Sequence, residues 1–211
     1  MKKFDSTLYF ITDSNGFEEA EFLYRVEEAL KGGVTLVQLR EKNKTTREYI
    51  ELAQNVHKLT RKYNAPLLID DRVDVALAVG AEGVHLGQTD MPIDIARGIL
   101  GEKAIIGATT KTVEQALAAQ RQGADYLGVG AIYPTTTKVV TVLTPVETLK
   151  DICNAVDIPV NAIGGLNKNN ISIFKGIDIS GICVVSAVLK ANEPQKAAIE
   201  LKKSFENLKN N

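Results

Sequence analysis

The chain has 211 residues, 45% of them apolar and 24% charged, which suits one well-cored domain spanning 1–211. Its net charge of −1 provides no field to attract nucleic acid or an anionic membrane, so any anion must be recognised locally. No apolar run approaches the roughly 20 residues of a membrane span, and Asp5, Ser6 and Thr7 interrupt the N-terminus too early for a signal peptide, so a cytoplasmic protein is expected.

In chain order, short apolar runs alternate with helix-like stretches. LYFITD leads into EEAEFLYRVEEALKG, and VTLVQLR leads into REYIELAQNVHKLTRKY. PLLIDD, GVHLGQ and AIIGATT follow, the last leading into TVEQALAAQRQG; then come YLGVGAI, PVNAIGG and GICVVSAVL, and the chain ends in EPQKAAIELKKSFENL. Apolar residues in the helix-like stretches fall three or four apart, as one buried helix face requires. Pro194 stands where a first helical turn accepts it, and glycines at 32, 33, 80, 101 and 123 punctuate element ends. Eight strands alternating with eight helices predict an α/β fold, a single (β/α)8 TIM barrel. A doubly wound open sheet fits less well, because FITDSNGFEEAE lacks the glycine-rich turn such folds place after the first strand.

Strand parity assigns faces. Gln38, Arg40 and Lys42 share one face of the second strand, opposite Val37 and Leu39. Gly107 and Thr109 share a face in the fifth strand, as do Gly128 and Gly130 in the sixth. The inward faces thus turn polar or small near the C-terminal strand ends, where barrel enzymes place their chemistry, and this predicts a ligand cavity.

Four constellations could carry that chemistry. QLREK offers forked and point-charge donors for a phosphate; a solvated strand end with a surface ion pair is the plainer alternative. Asp71 and Asp90, with Asp70 beside them, suit Mg2+ shared with phosphate oxygens; alternatively Asp71 pairs with Arg72 and Asp90 caps the helix near Met91-Pro92. Successive strand residues point oppositely, so Asp70 and Asp71 face inward together only if the strand breaks there. PTTTK supplies hydroxyls, backbone N–H groups and one ammonium for a pyrophosphate. Gly164-Gly165 and Ser186 end the last two strands, where barrel phosphates often sit. His85 is expected in the core and His57 on the surface. Cys153 and Cys183 match no metal or disulfide pattern and read as buried free thiols.

These segments, VQLREK, IDDRVDVALAVGAEGVHLGQTD, GATTKT, GADYLGVGAIYPTTTK, AIGGL and VVSAV, resemble the thiamine-phosphate synthase family along nearly the whole chain. The resemblance implies a transferase that joins a hydroxymethylpyrimidine diphosphate to a thiazole phosphate, or to its carboxylated form, releasing pyrophosphate. It implies small-molecule substrates and Mg2+ held by Asp71 and Asp90. Gln38, Leu39, Arg40, Glu41 and Lys42, with Asp70 and Thr109, would bind the pyrimidine diphosphate. Thr135, Thr136, Thr137 and Lys138 would line the phosphate region, and Gly165, Val185 and Ser186 would hold the thiazole phosphate. Arg40, Lys138 and Thr109 are the expected catalytic groups. The chain departs from the family pattern at Asp70 (usually Asn), Thr109 (usually Ser) and Lys111 (usually His). Two rival readings are a related thiazole tautomerase, which uses a histidine after the fifth strand, and a non-catalytic phosphate-binding barrel.

Overall fold

A computed structural model describes residues 4–135 and 142–210. Eight parallel strands close into a barrel in sequence order: β1 (Leu8–Ile11), β2 (Leu36–Leu39), β3 (Leu67–Asp70), β4 (Gly83–Leu86), β5 (Ile105–Thr110), β6 (Tyr126–Gly130), β7 (Val160–Ile163) and β8 (Gly181–Val184). Tyr9 aligns with Cys183, which joins β1 to β8 and leaves no open edge.

Outside the barrel run α1 (Glu19–Lys31), α2 (Thr46–Lys62), α3 (Val73–Val79), α4 (Ile93–Leu100), α5 (Val113–Arg121), α6 (Val146–Ala155), α7 (Ser186–Leu189) and α8 (Pro194–Lys209). Local chemistry sets several ends. Thr45 and Glu48 form a reciprocal capping box at the start of α2, and the Thr112 side chain accepts the Gln115 N–H at the start of α5. Gly80 ends α3 in the left-handed conformation at φ 65°, and Pro194 begins α8 as expected.

The helices are not spaced one per strand. Between β7 and β8 lies only a 3-10 turn, Ile171–Phe174, while both α7 and α8 follow β8. Asparagines account for the missing α-helix. Asn170 Oδ1 accepts the Asn167 N–H, Asn167 Oδ1 accepts the Asn169 N–H, and Asn170 Nδ2 donates to the Gly165 carbonyl. Such bonds offer the backbone an alternative to helical pairing.

Two apolar cores result. The larger lies between sheet and helices and includes Val37, Leu39, Leu67, Ile69, Phe22 and Phe205. The smaller fills the barrel with Tyr9, Ile11, Leu36, Leu68, Ile105, Tyr126 and Cys183. Glycines on the inward face make room for large neighbours: a Cβ on Gly107 would lie 2.0 Å from the Tyr126 ring, and one on Gly128 would lie 3.2 Å from the His85 ring. At this depth the small inward residues are therefore filled by aromatic side chains, and an empty cavity does not form there. Strand parity led to the expectation of a ligand cavity; at this depth the barrel is packed instead.

Two expectations about single residues are corrected. His57 is buried on α2, where Nε2 lies 3.1 Å from Glu82 Oε1, because that carboxylate also holds the Leu67 N–H and draws the imidazole inward. Cys183 lies buried inside the barrel as expected, but Cys153 is only half-buried; burial raises both thiol pKa values, that of Cys153 to about 11.

At the N-terminal end of the barrel, Arg97 of α4 forms a clamp. It donates to the carbonyls of Gly101, Ala104 and Gly123, and its Nη2 sits 2.6 Å from Asp125 Oδ2. The same carboxylate oxygen accepts the Ile106 N–H at 2.8 Å. One guanidinium thus ties α4 to the entries of β5 and β6.

Candidate active site

The C-terminal ends of β2, β3 and β4 bring the predicted charged residues together. Lys42 Nζ lies 2.9 Å from Asp70 Oδ2 and also contacts Asp71 Oδ2. Arg40 lies between Asp13 and Asp70, with 3.7 Å to an oxygen of each. The strand break needed for Asp70 and Asp71 to meet is present: β3 ends at Asp70, and Asp71 turns into the left-handed region at φ 58°. Aspartate tolerates that conformation better than most residues. Arg72 does not neutralise Asp71; it pairs with Asp74 and donates to Thr46 Oγ1 at 3.0 Å.

Asp90 does not cap α4. The helix begins after Pro92 without a side-chain cap, and Asp90 Oδ2 folds back to accept the Gly87 N–H at 2.7 Å. A Cβ on Gly87 would lie 2.8 Å from that oxygen and would displace the Asp90 carboxylate from this position.

The electrostatics describe an acid-rich mouth. Burial, then Asp71 as a neighbour, pushes the Asp90 carboxyl above its ordinary range against the Gly87 N–H. Asp70 is also raised, first by burial, although Lys42 and Arg40 oppose the shift. Burial disfavours the Lys42 ammonium, but its hydrogen bonds to Asp71 and Asp70 outweigh that and raise its pKa. Asp13, Asp70, Asp71 and Asp90 thus outnumber Arg40 and Lys42 in one interacting cluster. An anionic ligand approaching this mouth meets repulsion unless a further cation joins it. No group of three metal-ligating His, Cys, Asp or Glu side chains occurs among the described residues. Two carboxylates completed by ligand phosphate and water form the donor set Mg2+ usually takes, so the Asp71 and Asp90 pair fits that ion.

Below the mouth, the buried amide Gln38 Nε2 donates to the Tyr9 hydroxyl at 2.5 Å. Thr109, half-buried at the rim, has its hydroxyl 2.8 Å from His85 Nε2. His85 lies inside the barrel, as expected, and burial lowers its pKa to about 4. The sign follows directly: the unfolded imidazole binds protons more readily, so this contribution to stability is complete above pH ~6.5 and is lost as pH falls through ~4. Moving from pH ~7.5 to pH ~5 is expected to cost the wild type about 2 kcal/mol more than a His85→Gln variant. Urea titrations at the two pH values measure this, and equal losses in both proteins would contradict it.

Other predicted residues are placed differently from one another. The Leu39 side chain lies in the sheet–helix core, away from the mouth, and its carbonyl accepts the Tyr49 hydroxyl at 2.7 Å. Glu41 turns to Ser14, accepting its N–H at 3.1 Å and its hydroxyl at 2.8 Å, and so braces the loop between β1 and α1. Thr135 lies on the loop after β6, whereas Thr136, Thr137 and Lys138 fall outside the described residues. Gly165 adopts φ 64° with its Cα facing that loop, so a Cβ would lie 2.7 Å from the Pro134 carbonyl oxygen. Val185 is half-buried, and the exposed Ser186 starts α7 directly after β8.

Asp13 and Gln88 were missed in the sequence. Asp13 ends LYFITD and holds Arg40; strand-end position was its only signal. Gln88 donates to the Thr109 carbonyl at 2.7 Å across a gap of 21 residues, which local patterning does not reveal.

The family model for thiamine monophosphate synthase matches residues 8–188. Thiamine-phosphate synthase of Clostridium tetani is 52% identical over 200 residues, covering 95% of this chain and 96% of that protein. The enzyme of the same name from Methanobrevibacter smithii is 47% identical over 205 residues, covering 97% and 98%. A solved structure of thiamine phosphate pyrophosphorylase from Pyrococcus furiosus superimposes with a TM-score of 0.87 at 45% identity, covering 96% of each chain. With the family pattern matched from the first strand into the short helix after the last, the chain belongs to the thiamine-phosphate synthase family and is an enzyme of that type.

Proposed function

We propose that this enzyme condenses a hydroxymethylpyrimidine diphosphate with a thiazole phosphate, giving thiamine phosphate and pyrophosphate by a dissociative, Mg2+-assisted substitution in the cytoplasm. The observation that carries this reading is the acid-rich cluster around Arg40 and Lys42, next to the uncharged donors Gln38 and Thr109. It suits a ligand with one polyanionic end and one neutral heterocyclic end.

The methylene carbon–oxygen bond breaks with its electron pair leaving on the diphosphate. The benzylic-type cation is stabilised by the pyrimidine amino group, and the thiazole nitrogen lone pair then forms the new carbon–nitrogen bond. Mg2+ bound at Asp71 and Asp90 would supply Lewis-acid stabilisation of the departing diphosphate. Arg40 and Lys42, held ready by Asp13, Asp70 and Asp71, place positive charge where negative charge grows; Lys138 is assigned the same task. Gln38 and Thr109 orient the pyrimidine, while Thr135, Thr136 and Thr137 line the diphosphate. Gly165, Val185 and Ser186 position the thiazole phosphate so that its nitrogen faces the reacting carbon. No enzyme nucleophile is needed.

The tautomerase alternative requires a histidine after β5. Lys111 stands there, donating to the carbonyls of Gly130 and Val142, and the chain's two histidines occupy α2 and the barrel interior. The non-catalytic alternative leans on Asp70, which adds negative charge beside the diphosphate. Asp70→Asn is therefore expected to lower KM for the pyrimidine diphosphate roughly three-fold by removing that repulsion. A higher KM would instead show that Asp70's hold on Lys42 outweighs its repulsion of the diphosphate.

Isothermal titration of the pyrimidine diphosphate tests the shared-metal reading. Mg2+ is expected to tighten binding by at least about ten-fold, or ~1.4 kcal/mol. Equal affinity with and without Mg2+ would remove it.

A further inference from the structure

An unbroken line of hydrogen bonds crosses the barrel interior from Gln38 to Thr109. Gln38 Nε2 meets the Tyr9 hydroxyl at 2.5 Å, and Tyr9 meets the Tyr126 hydroxyl at 2.7 Å. Tyr126 lies 2.8 Å from His85 Nδ1, and His85 Nε2 lies 2.8 Å from the Thr109 hydroxyl. Tyr9 and Tyr126 are fully buried, and Gln38 and His85 nearly so. The two ends come from strands on different sides of the barrel, and both belong to the substrate site proposed above.

We infer that Tyr9, Tyr126 and His85 are positioning residues that form a one-directional relay, coupling the amide orientation of Gln38 to the hydrogen-bonding polarity of the Thr109 hydroxyl. The assignment of Gln38 and Thr109 as substrate-facing groups rests on the synthase reading; the relay itself rests on proton placement.

Each contact requires one proton. The Gln38 amide proton fills the first, so the Tyr9 proton must go to Tyr126. The Tyr126 proton must then go to His85 Nδ1. A neutral imidazole with an acceptor at Nδ1 carries its proton on Nε2 and donates it to Thr109 Oγ1. The Thr109 hydroxyl proton is left free to donate to a ligand acceptor. Burial raises the pKa of both tyrosines and lowers that of His85, which keeps the line neutral. The reverse order satisfies every group only if Gln38 turns its carbonyl to Tyr9, so the polarity of one end dictates that of the other.

The glycine pattern supports a built feature. Gly107 leaves the space that the Tyr126 ring occupies, and Gly128 leaves room for the His85 ring. The Tyr9 and Tyr126 rings meet edge to face with centroids 5.7 Å apart, which fixes both hydroxyls. At the rim, Gln88 holds the Thr109 carbonyl.

The test reads the His85 tautomer in ligand-free full-length protein by long-range proton–nitrogen NMR with 15N-histidine. The chain contains two histidines, and a His57→Gln variant assigns their signals. The wild type is expected to carry the His85 proton on Nε2; a proton on Nδ1 would overturn the relay direction. Gln38→Glu, examined at alkaline pH so that the buried carboxyl is ionised, converts the first group into an acceptor, so the whole line should reverse and move the His85 proton to Nδ1. Adding Tyr9→Phe to Gln38→Glu breaks the line and should restore the Nε2 proton. An unchanged tautomer in folded Gln38→Glu protein with the carboxylate ionised would overturn the coupling, because a purely structural role for Tyr9 and Tyr126 predicts no such change. If Gln38→Glu does not fold, the wild-type tautomer still decides the direction. These outcomes are independent of turnover, so failure of the relay is distinct from failure of the synthase reading.

Discussion

Replacing Asp71 with asparagine is expected to reduce Mg2+-dependent turnover by about 10²–10³-fold while the barrel stays folded. The residue sits at φ 58°, a conformation that asparagine tolerates and alanine does so less readily, so Asn removes the charge with little backbone strain. Its carboxylate contacts Lys42 and adjoins Asp90, and the loss should therefore appear in two ways. Lys42 keeps Asp70 as a partner, so the cationic side of the site survives. Asp90 loses the acidic neighbour that helps raise its pKa, which should fall towards the ordinary carboxylate range. Steady-state kinetics over a Mg2+ titration checks the expectation. Turnover and Mg2+ dependence like those of the wild type would remove Asp71 from the proposed metal site.

The largest stability effect is expected at the opposite end of the barrel. Arg97→Ala should cost about 3–5 kcal/mol in chemical denaturation, because it leaves Asp125 largely buried without its guanidinium and strips three carbonyls of a donor. Arg97→Lys should recover less than half, since one ammonium cannot reproduce a forked set of donors. Barrel strands carry chemistry at their C-terminal ends, so residual activity per folded molecule should be unchanged. A loss below about 1 kcal/mol would show that the clamp is dispensable.

The contrast between Asp71 and Arg97 shows what could be read before the structure. Alternating periods of two and about four identified strands and helices, and order along the chain placed Gln38, Arg40, Lys42, Asp71 and Asp90 at one mouth. Parity also forecast that Asp70 and Asp71 need a strand break to act together, and the left-handed turn at Asp71 supplies it. Arg97 carried no such signal, because its partners Gly123 and Asp125 belong to another β/α unit and become neighbours only when the barrel closes. His57 was misplaced for the same reason: Glu82, which draws it inward, is 25 residues away. Asparagine side chains overrode the expected α-helix between β7 and β8. The inward glycines were legible as small residues, but their role as sockets for Tyr126 and His85 depends on strand register. Thr136, Thr137 and Lys138 lie outside the described residues, so their roles rest on sequence pattern alone.

Incubating the purified protein with the pyrimidine diphosphate, the thiazole phosphate and Mg2+, and detecting thiamine phosphate by mass spectrometry, decides whether the chain is a working synthase. Thiamine phosphate and pyrophosphate are expected in equal amounts, both abolished by a chelator. Folded protein that binds the pyrimidine diphosphate yet forms no thiamine phosphate would contradict it.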